Sequence, residues 1–333
     1  MLGISELKKR MSEKVIDVEK TMLHIMPNRE PASVYELAWD FLNRGGKRIR
    51  PYLLLTSVEA FNGNPEDALE IAAGIEIFHN FTLVHDDIED NSEMRRGKPC
   101  LHISYGIPLA INAGDGMFAH VFKSLKESRL TPYQKDRIIG MFAEAFIGVV
   151  DGQGYEIGWI ENNMWDISEK MYLDMAGGKT GDLMGACTQI GSFIGGASER
   201  DMEEMRLFGY EIGLAFQIQD DVLNLVGEEE KYKKEIGGDI REGKRTLIVI
   251  KALERLGENE KRELIGILAK KENTHEEIVR AIELMKGCGA IDYAKEYAER
   301  LVASAKNRLS VVKNAEKKEE LEAIADMFIK REA

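Results

Sequence analysis

Between Pro132 and the C-terminal Ala333 the chain contains no proline; the seven it has fall at positions 27, 31, 51, 65, 99, 108 and 132. Proline removes a backbone donor and clashes with the preceding helical turn, so a proline-free reach of this length favours long helices. Apolar periodicity agrees. Val34, Leu37, Ala38 and Phe41 follow the i, i+3, i+4, i+7 spacing of one helical face, and similar spacing recurs over 66–90, 133–150, 201–226, 276–285 and 291–312. Ser33 and Glu36 have the spacing of a capping box. Asn64-Pro65-Glu66-Asp67 reads as a cap, a first-turn proline and acids at the positive end of the helix dipole. The β-branched stretch Thr246–Ile250 fits a buried strand or a buried helical turn, but a lone strand has nothing to pair with, so a helix is expected. No linker rich in Pro, Gly or Ser and no repeat divides the chain. The expectation is an all-α, single-domain bundle of long helices spanning 1–333.

With 44% hydrophobic and 31% charged residues, the chain can bury a sizeable core, which excludes disorder. A net charge of -13 argues against general attraction to nucleic acid or anionic lipid, so any phosphate must be held locally. Cys100, Cys187 and Cys288 are far apart and lack metal-ligand spacing, which fits a reducing cytoplasm. The N-terminus lacks the apolar core of a signal peptide, and no stretch approaches the roughly 18 to 20 apolar residues of a membrane span. A soluble, cytoplasmic protein is expected.

Against that background HDDIED, residues 85–90, stands out: four carboxylates occupy five positions at the end of a largely apolar run. Their mutual repulsion in a partly buried place needs a compensating cation. On a helix of about 100° per residue, His79, Asp86 and Asp90 fall within roughly 40° of one another. Taken alone, such a cluster is more often a solvated helix end. A second one shifts the balance. In FQIQDDVLN, residues 216–224, Gln217, Asp220 and Asn224 also share a helical face. Two such faces turned toward each other would form an oxygen-lined site suited to Mg²⁺, which favours carboxylates, water and substrate phosphates.

Basic residues lie close to these motifs in sequence. GGKRIRP at 45–51 offers Lys47 and Arg50, EMRRGKP at 93–99 offers Arg95 and Arg96, and Gly178-Lys179-Thr180 and KKEIGGDIREGKRT at 233–246 follow. Singly, each is more often an exposed surface charge, and none has P-loop spacing.

Together, GGKRIRP, HDDIEDNSEMRRGKP, GGKTG, FQIQDDVLN and GGDIREGKRT occur in the order found in the trans-prenyltransferases, and the chain resembles that family over nearly its whole length. The resemblance implies an isoprenoid-synthase bundle around a central cavity. It implies an enzyme that condenses an allylic diphosphate with isopentenyl diphosphate by ionisation, condensation and elimination. Asp86, Asp90 and Asp220 would ligate three Mg²⁺ ions per active site, with Asp87 and Asp221 supporting them. Arg95, Lys179, Lys234 and Lys244 would grip the allylic diphosphate. Lys47, Arg50, His79 and Arg96 would hold the diphosphate of isopentenyl diphosphate without metal. Thr180 and Gln217 would face the developing allylic cation, and the family also implies a homodimer.

Two positions depart from the family pattern. The second aspartate motif ends in Asn224, an amide that coordinates or hydrogen-bonds without charge, and Lys234 is preceded by Lys233 instead of glycine. In the family, the fifth and fourth residues before the first aspartate motif form the floor that halts the growing chain. Here they are Phe81 and Thr82, an aromatic followed by a small residue, which resembles the geranylgeranyl (C20) pattern; a farnesyl (C15) or mixed C15/C20 enzyme is the alternative. A class I terpene cyclase has no need for the second basic set. A non-catalytic regulatory subunit would lack part of an aspartate motif, and both motifs are present.

Overall fold

The computed structural model describes residues 2–227, 236–270 and 272–329. In chain order the helices are α1 Ile4–Ile25, α2 Ala32–Leu42, α3 Ile49–Ala60, a 3₁₀ turn Pro65–Ala68, α4 Leu69–Glu89, α5 Leu101–Tyr105, α6 Ile107–Glu127, α7 Pro132–Glu161 and α8 Glu169–Ala176. A π turn at Gly177–Gly181 leads into α9 Asp182–Ile194. Then come α10 Glu199–Val226, α11 Gly238–Arg241, α12 Leu247–Arg255, α13 Glu258–Leu268, α14 His275–Gly287, α15 Ala290–Arg308 and α16 Ala315–Ile329. The all-α expectation holds. Among the described residues the strands are β1 Met94–Arg95 and β2 Lys98–Pro99, an antiparallel pair. No described helix is long and apolar enough to cross a membrane.

Two compact units make up the chain: unit 1 is Met1–Met141, Cys187–Glu203 and Val311–Ala323; unit 2 is Phe142–Ala186, Glu204–Ser310 and Ile324–Ala333.

In unit 1, α1 buries Leu7, Met11, Val18, Met22 and Ile25, one stripe at helical spacing. By contrast α3 is buried almost all round, from Ile49 through Ala60, and is a core helix. Its tolerance of Pro51 follows from position: the first turn has no intrahelical acceptor to lose. Residues 187–194 of α9 approach α3 closely, since a Cβ on Gly191 would lie 2.3 Å from the Leu54 carbonyl oxygen. Asn64-Pro65 forms a helical start as expected, but of the 3₁₀ turn that leads into α4, with the Asn64 side chain accepting from the Glu66 amide at 3.2 Å. The capping box at Ser33 does not form. Pro31 is the N-cap of α2, and Glu30 accepts from the Ala32 amide at 2.8 Å, so the helix has already started where Ser33 stands.

In unit 2, the Thr246–Ile250 stretch is helical: Thr246 caps α12, its hydroxyl accepting from the Val249 amide at 3.3 Å. Glycines let three helices of this unit meet backbone to backbone. A Cβ on Gly152 of α7 would lie 2.4 Å from the Lys179 nitrogen, and one on Gly178 would lie 2.5 Å from the Gly148 carbonyl oxygen. Across the same turn, a Cβ on Gly213 of α10 would lie 2.9 Å from Gly181 Cα. The π turn is thereby held between α7 and α10.

Candidate active site

Unit 1 gathers the first aspartate motif and the residues of GGKRIRP and EMRRGKP. Asp86 and Asp87 stand on the last turn of α4 and Asp90 is its C-cap; Asp86 and Asp90 are half-buried and Asp87 is buried. The chain then turns through the β1–β2 hairpin, whose two-residue loop, Arg96-Gly97, has φ of 55° and 76°. Positive φ at both positions is what a type I′ turn requires, and a two-residue hairpin favours that turn. An arginine in left-handed backbone is uncommon, and such strain is concentrated at functional positions.

The hairpin sends its two arginines to different partners. Arg95 Nε donates to Asp87 Oδ1 at 2.6 Å, and Arg95 Nη2 lies 3.4 Å from Asp86 Oδ2. Burial pushes the Asp87 carboxyl up in spite of Arg95, and Asp87 Oδ2 has no hydrogen-bond partner among the described residues. Arg96 Nη1 donates to Asn80 Oδ1 at 3.0 Å, and its guanidinium lies over the Phe41 ring. A Cβ on Gly46 would lie 3.2 Å from Arg96 Nη2, so the glycine of the GGK loop leaves room for that guanidinium.

The GGK loop reaches the same place. Gly45 and Gly46 have φ of 84° and 147°, and Arg48, at φ 48°, turns inward while Lys47 is exposed. Arg48 is buried and donates to Glu76 Oε1 at 2.7 Å, to Leu42 O at 2.8 Å and to Glu19 at 3.2 Å. Arg50 is half-buried, yet its Nε is buried and has no hydrogen-bond partner among the described residues. Burial holds the Arg50 charge down, and Glu76 opposes that effect. Burial likewise holds Arg96 down to about 10, with Arg48 and Arg95 adding repulsion. His79, half-buried on α4, is pushed well below the usual imidazole range by burial, then by Arg50, Arg96, Arg95 and Arg48. The result is a neutral imidazole in a strongly positive field.

Phe81 and Thr82 lie on the same helix. The Phe81 ring contacts His85, Phe118 and Phe78 with centroids 4.7, 5.2 and 5.5 Å away. Thr82 donates to the His79 carbonyl at 2.8 Å.

Unit 2 gathers the second motif. Lys179 and Thr180 sit on the π turn, a helix distortion often found at functional positions. Lys179 pairs with Glu156 of α7. Thr180 Oγ1 donates to Gln217 Oε1 at 2.9 Å, and Gln217 Nε2 donates to Asp221 Oδ1 at 2.9 Å. The Asp221 carboxyl is pushed well up by burial and by Asp239, against the bonds from Tyr172 and Gln217. Asp221, Asp239, Lys244 and Thr246 line one small pocket, and Lys244 lies 2.6 Å from Glu242. Asp220 is half-buried on α10. Asn224 is buried and holds the following turn: its Oδ1 accepts from the Asp239 amide at 3.1 Å and its carbonyl from the Gly237 amide at 2.8 Å. An amide oxygen serves there without adding charge beside Asp221 and Asp239. Lys234 lies outside the described residues.

Among the described residues, no three of His, Cys, Asp and Glu form a ready-made metal cage. The donors nonetheless fit Mg²⁺, which keeps several waters and binds through one or two carboxylates plus substrate phosphates. Crowded carboxylates at Asp86, Asp87 and Asp90, with the unpartnered Asp87 Oδ2, are what a divalent cation would relieve.

The polyprenyl synthetase profile matches residues 31–285. The chain belongs to the polyprenyl synthetase family. It is 36% identical over 332 residues to the short chain isoprenyl diphosphate synthase of Methanothermobacter thermautotrophicus, covering all of both chains. It is 39% identical over 282 residues to the geranylgeranyl diphosphate synthase of Sulfolobus acidocaldarius, covering 84% of each. The crystal structure of geranylgeranyl pyrophosphate synthetase from Pyrococcus horikoshii superposes with a TM-score of 0.94 at 35% identity, covering 98% of this chain and 99% of that one. As a polyprenyl synthetase, the protein is a trans-prenyltransferase.

Sequence reasoning singled out neither Glu76, Asn80 and Arg48 in unit 1 nor Glu156, Tyr172 and Asp239 in unit 2. Glu76 had a readable signal: a lone carboxylate inside the apolar run IAAGIEIF must be paired if that face is buried. Tyr172 had none.

Proposed function

We propose that this polyprenyl synthetase condenses an allylic diphosphate with isopentenyl diphosphate in a Mg²⁺-dependent reaction and releases geranylgeranyl diphosphate. The observation that carries the reading is the Arg50 Nε, a buried donor without an acceptor among the described residues, in the same positive field as His79 and Arg96. A second diphosphate held by cations alone is what separates a two-substrate condensation from a one-substrate cyclisation. The profile match across residues of both units supports treating 1–333 as one functional domain.

In this reading Asp86, Asp90 and Asp220 would hold three Mg²⁺ ions, which would supply Lewis-acid stabilisation of the departing diphosphate. Asp87 and Asp221 orient that set; Arg95 supports Asp87 and Asp86 as well as the allylic diphosphate. Lys179, Lys244 and Lys234 bind the same leaving group. Lys47, Arg50, His79 and Arg96 bind isopentenyl diphosphate, whose own carbon–oxygen bond must stay intact. Thr180 and Gln217 turn oxygen lone pairs on the allylic cation, and the neutral state of His79 lets its ring donate to phosphate without a further buried charge. The released diphosphate takes the last proton, consistent with the lack of any general-base dyad in the sequence.

The C20 product is supported by the Phe81-Thr82 pair, by the aromatic packing of Phe81 against α6, and by the geranylgeranyl relatives. A homodimer is supported by exposed apolar residues: Ile103, Tyr105, Ile107, Leu109 and Ile111 in unit 1, and Ile147, Val150 and Tyr155 in unit 2. The location is cytoplasmic in this reading, in keeping with unpaired cysteines and the absence of a spanning helix among the described residues. The deciding experiment is diphosphate release from farnesyl diphosphate with and without isopentenyl diphosphate, followed by product mass. Release that does not depend on isopentenyl diphosphate would overturn the proposal, and a C15 or C25 product would overturn its chain length.

A further inference from the structure

We propose that Asn80 is a positioning residue for Arg96: its side-chain oxygen holds that guanidinium in the orientation that receives the diphosphate of isopentenyl diphosphate, and Glu76 with Arg48 holds Asn80. The inference rests on the reading of Arg96 as a ligand of that diphosphate.

The geometry leaves Asn80 one orientation. Its Nδ2 donates to the Glu76 carbonyl at 2.7 Å and to Glu76 Oε1 at 2.9 Å. A flipped amide would set Oδ1 against those two oxygens, so Oδ1 must face Arg96 Nη1, which donates to it at 3.0 Å. Glu76 Oε1 also accepts from Arg48 at 2.7 Å, and this pairing fixes the carboxylate on which Asn80 depends. Asn80 is 0% exposed and Glu76 2%, so an apolar side chain of the same size at position 80 would leave no room for water to replace the lost partner. Helix spacing explains how one element supplies the set: Glu76, His79 and Asn80 are separated by three and four residues and share a face of α4.

Arg96 needs such support more than an ordinary arginine does. It stands on the two-residue hairpin loop in left-handed backbone, and the hairpin itself has two residue pairs. A neutral amide uses one N–H of the guanidinium and leaves the charge and the remaining donors for the diphosphate. A carboxylate at position 80 would compete for them.

The test is steady-state kinetics of the purified full-length enzyme with Asn80→Leu, Asn80→Ala, Arg96→Ala and the Asn80→Leu/Arg96→Ala pair, each checked by thermal unfolding. Arg96→Ala and Asn80→Leu should each raise the KM for isopentenyl diphosphate about 10-fold, as loss of a charge-assisted hydrogen bond does, and Asn80→Leu should leave kcat and the allylic KM within about twofold. Asn80→Ala should raise it less, because the smaller side chain admits a water that accepts from Nη1. The double variant should be no worse than Arg96→Ala alone. A raised KM in Arg96→Ala with an unchanged KM in Asn80→Leu would overturn the role of Asn80 and leave the reading of Arg96 standing. An unchanged KM in Arg96→Ala would overturn that reading itself. Asn80→Ala being the worse of the two, with an effect that adds to Arg96→Ala, would mean packing alone and would also overturn the role. Should Asn80→Leu fail to fold, the same cycle run with Asn80→Ala decides.

Discussion

The Tyr172 hydroxyl donates to Asp221 Oδ2 at 2.8 Å, and both side chains are buried. With Gln217 on the other oxygen, Asp221 has a donor on each side, while Asp239 and Asp220 repel it. Tyr172→Phe leaves one buried oxygen without its partner, which costs about 1 to 3 kcal/mol. Urea unfolding of the metal-free variant should show a loss on this scale, and turnover should fall with it. Unchanged stability would mean that the bond contributes nothing beyond the packing of the ring.

Removal of a carboxylate proposed to hold metal should act on the reaction far more than on the fold. Asp86→Ala and Asp220→Ala are each expected to lower turnover by on the order of 10²-fold or more, the usual scale for lost electrostatic preorganisation. Chelator should abolish activity of the unmodified enzyme, and added Mg²⁺ should restore it. Full turnover in either variant would exclude that residue from the metal set.

The pH dependence of stability should carry the mark of His79. Its folded-state pKa lies well below the ordinary 6.5, through burial and then the four arginines, so the unfolded chain binds more protons between those two values. Stability from this group is complete above about 6.5 and is lost as the pH falls below it. His79→Gln should flatten the fall in unfolding free energy between about pH 7 and pH 5 relative to the unmodified protein. Parallel curves would show that the imidazole titrates normally.

Chain length offers an independent check. Phe81 packs against Phe78 of its own helix and Phe118 of α6, so Phe81→Ala opens apolar space in unit 1. Each added isoprene unit gains burial there, and products from farnesyl diphosphate with excess isopentenyl diphosphate should shift beyond C20. Mass analysis reads the outcome; an unchanged C20 product at full activity would place the length control elsewhere.

The helices were legible because their signal is local and repeated. The spacing over 201–226 and 291–312 matched α10 and α15 closely, and Thr246 proved to be a cap. Ser33 misled because Pro31 and Glu30, just upstream, satisfy the start of α2 first. The hairpin left almost no trace: its strands have two residues each, and its turn is Arg-Gly where the usual sequence signal is Asn-Gly or Asp-Gly. The candidate site divided along the same line. Carboxylates and cations within the motifs could be found by pattern, whereas Glu76, Asn80 and Tyr172 act on partners 16 to 49 positions away, which no local pattern encodes.

The π turn at Gly177–Gly181 gives the helix on either side of it two different phases. Residues up to Ala176 and residues from Asp182 onward follow separate rotational registers, offset by the one residue that a π turn adds to an α turn. Deleting Gly178 would let the helix run on regularly, and its local geometry would improve. The flanks would keep their mutual orientation, and the loss would fall on the turn itself, where the close backbone approaches of Gly152, Gly178 and Gly213 seat Lys179 and Thr180. The segment is thus one extra residue held in place by its neighbours, and a one-residue deletion there should unseat Lys179 and Thr180 while leaving the helices on either side where they are.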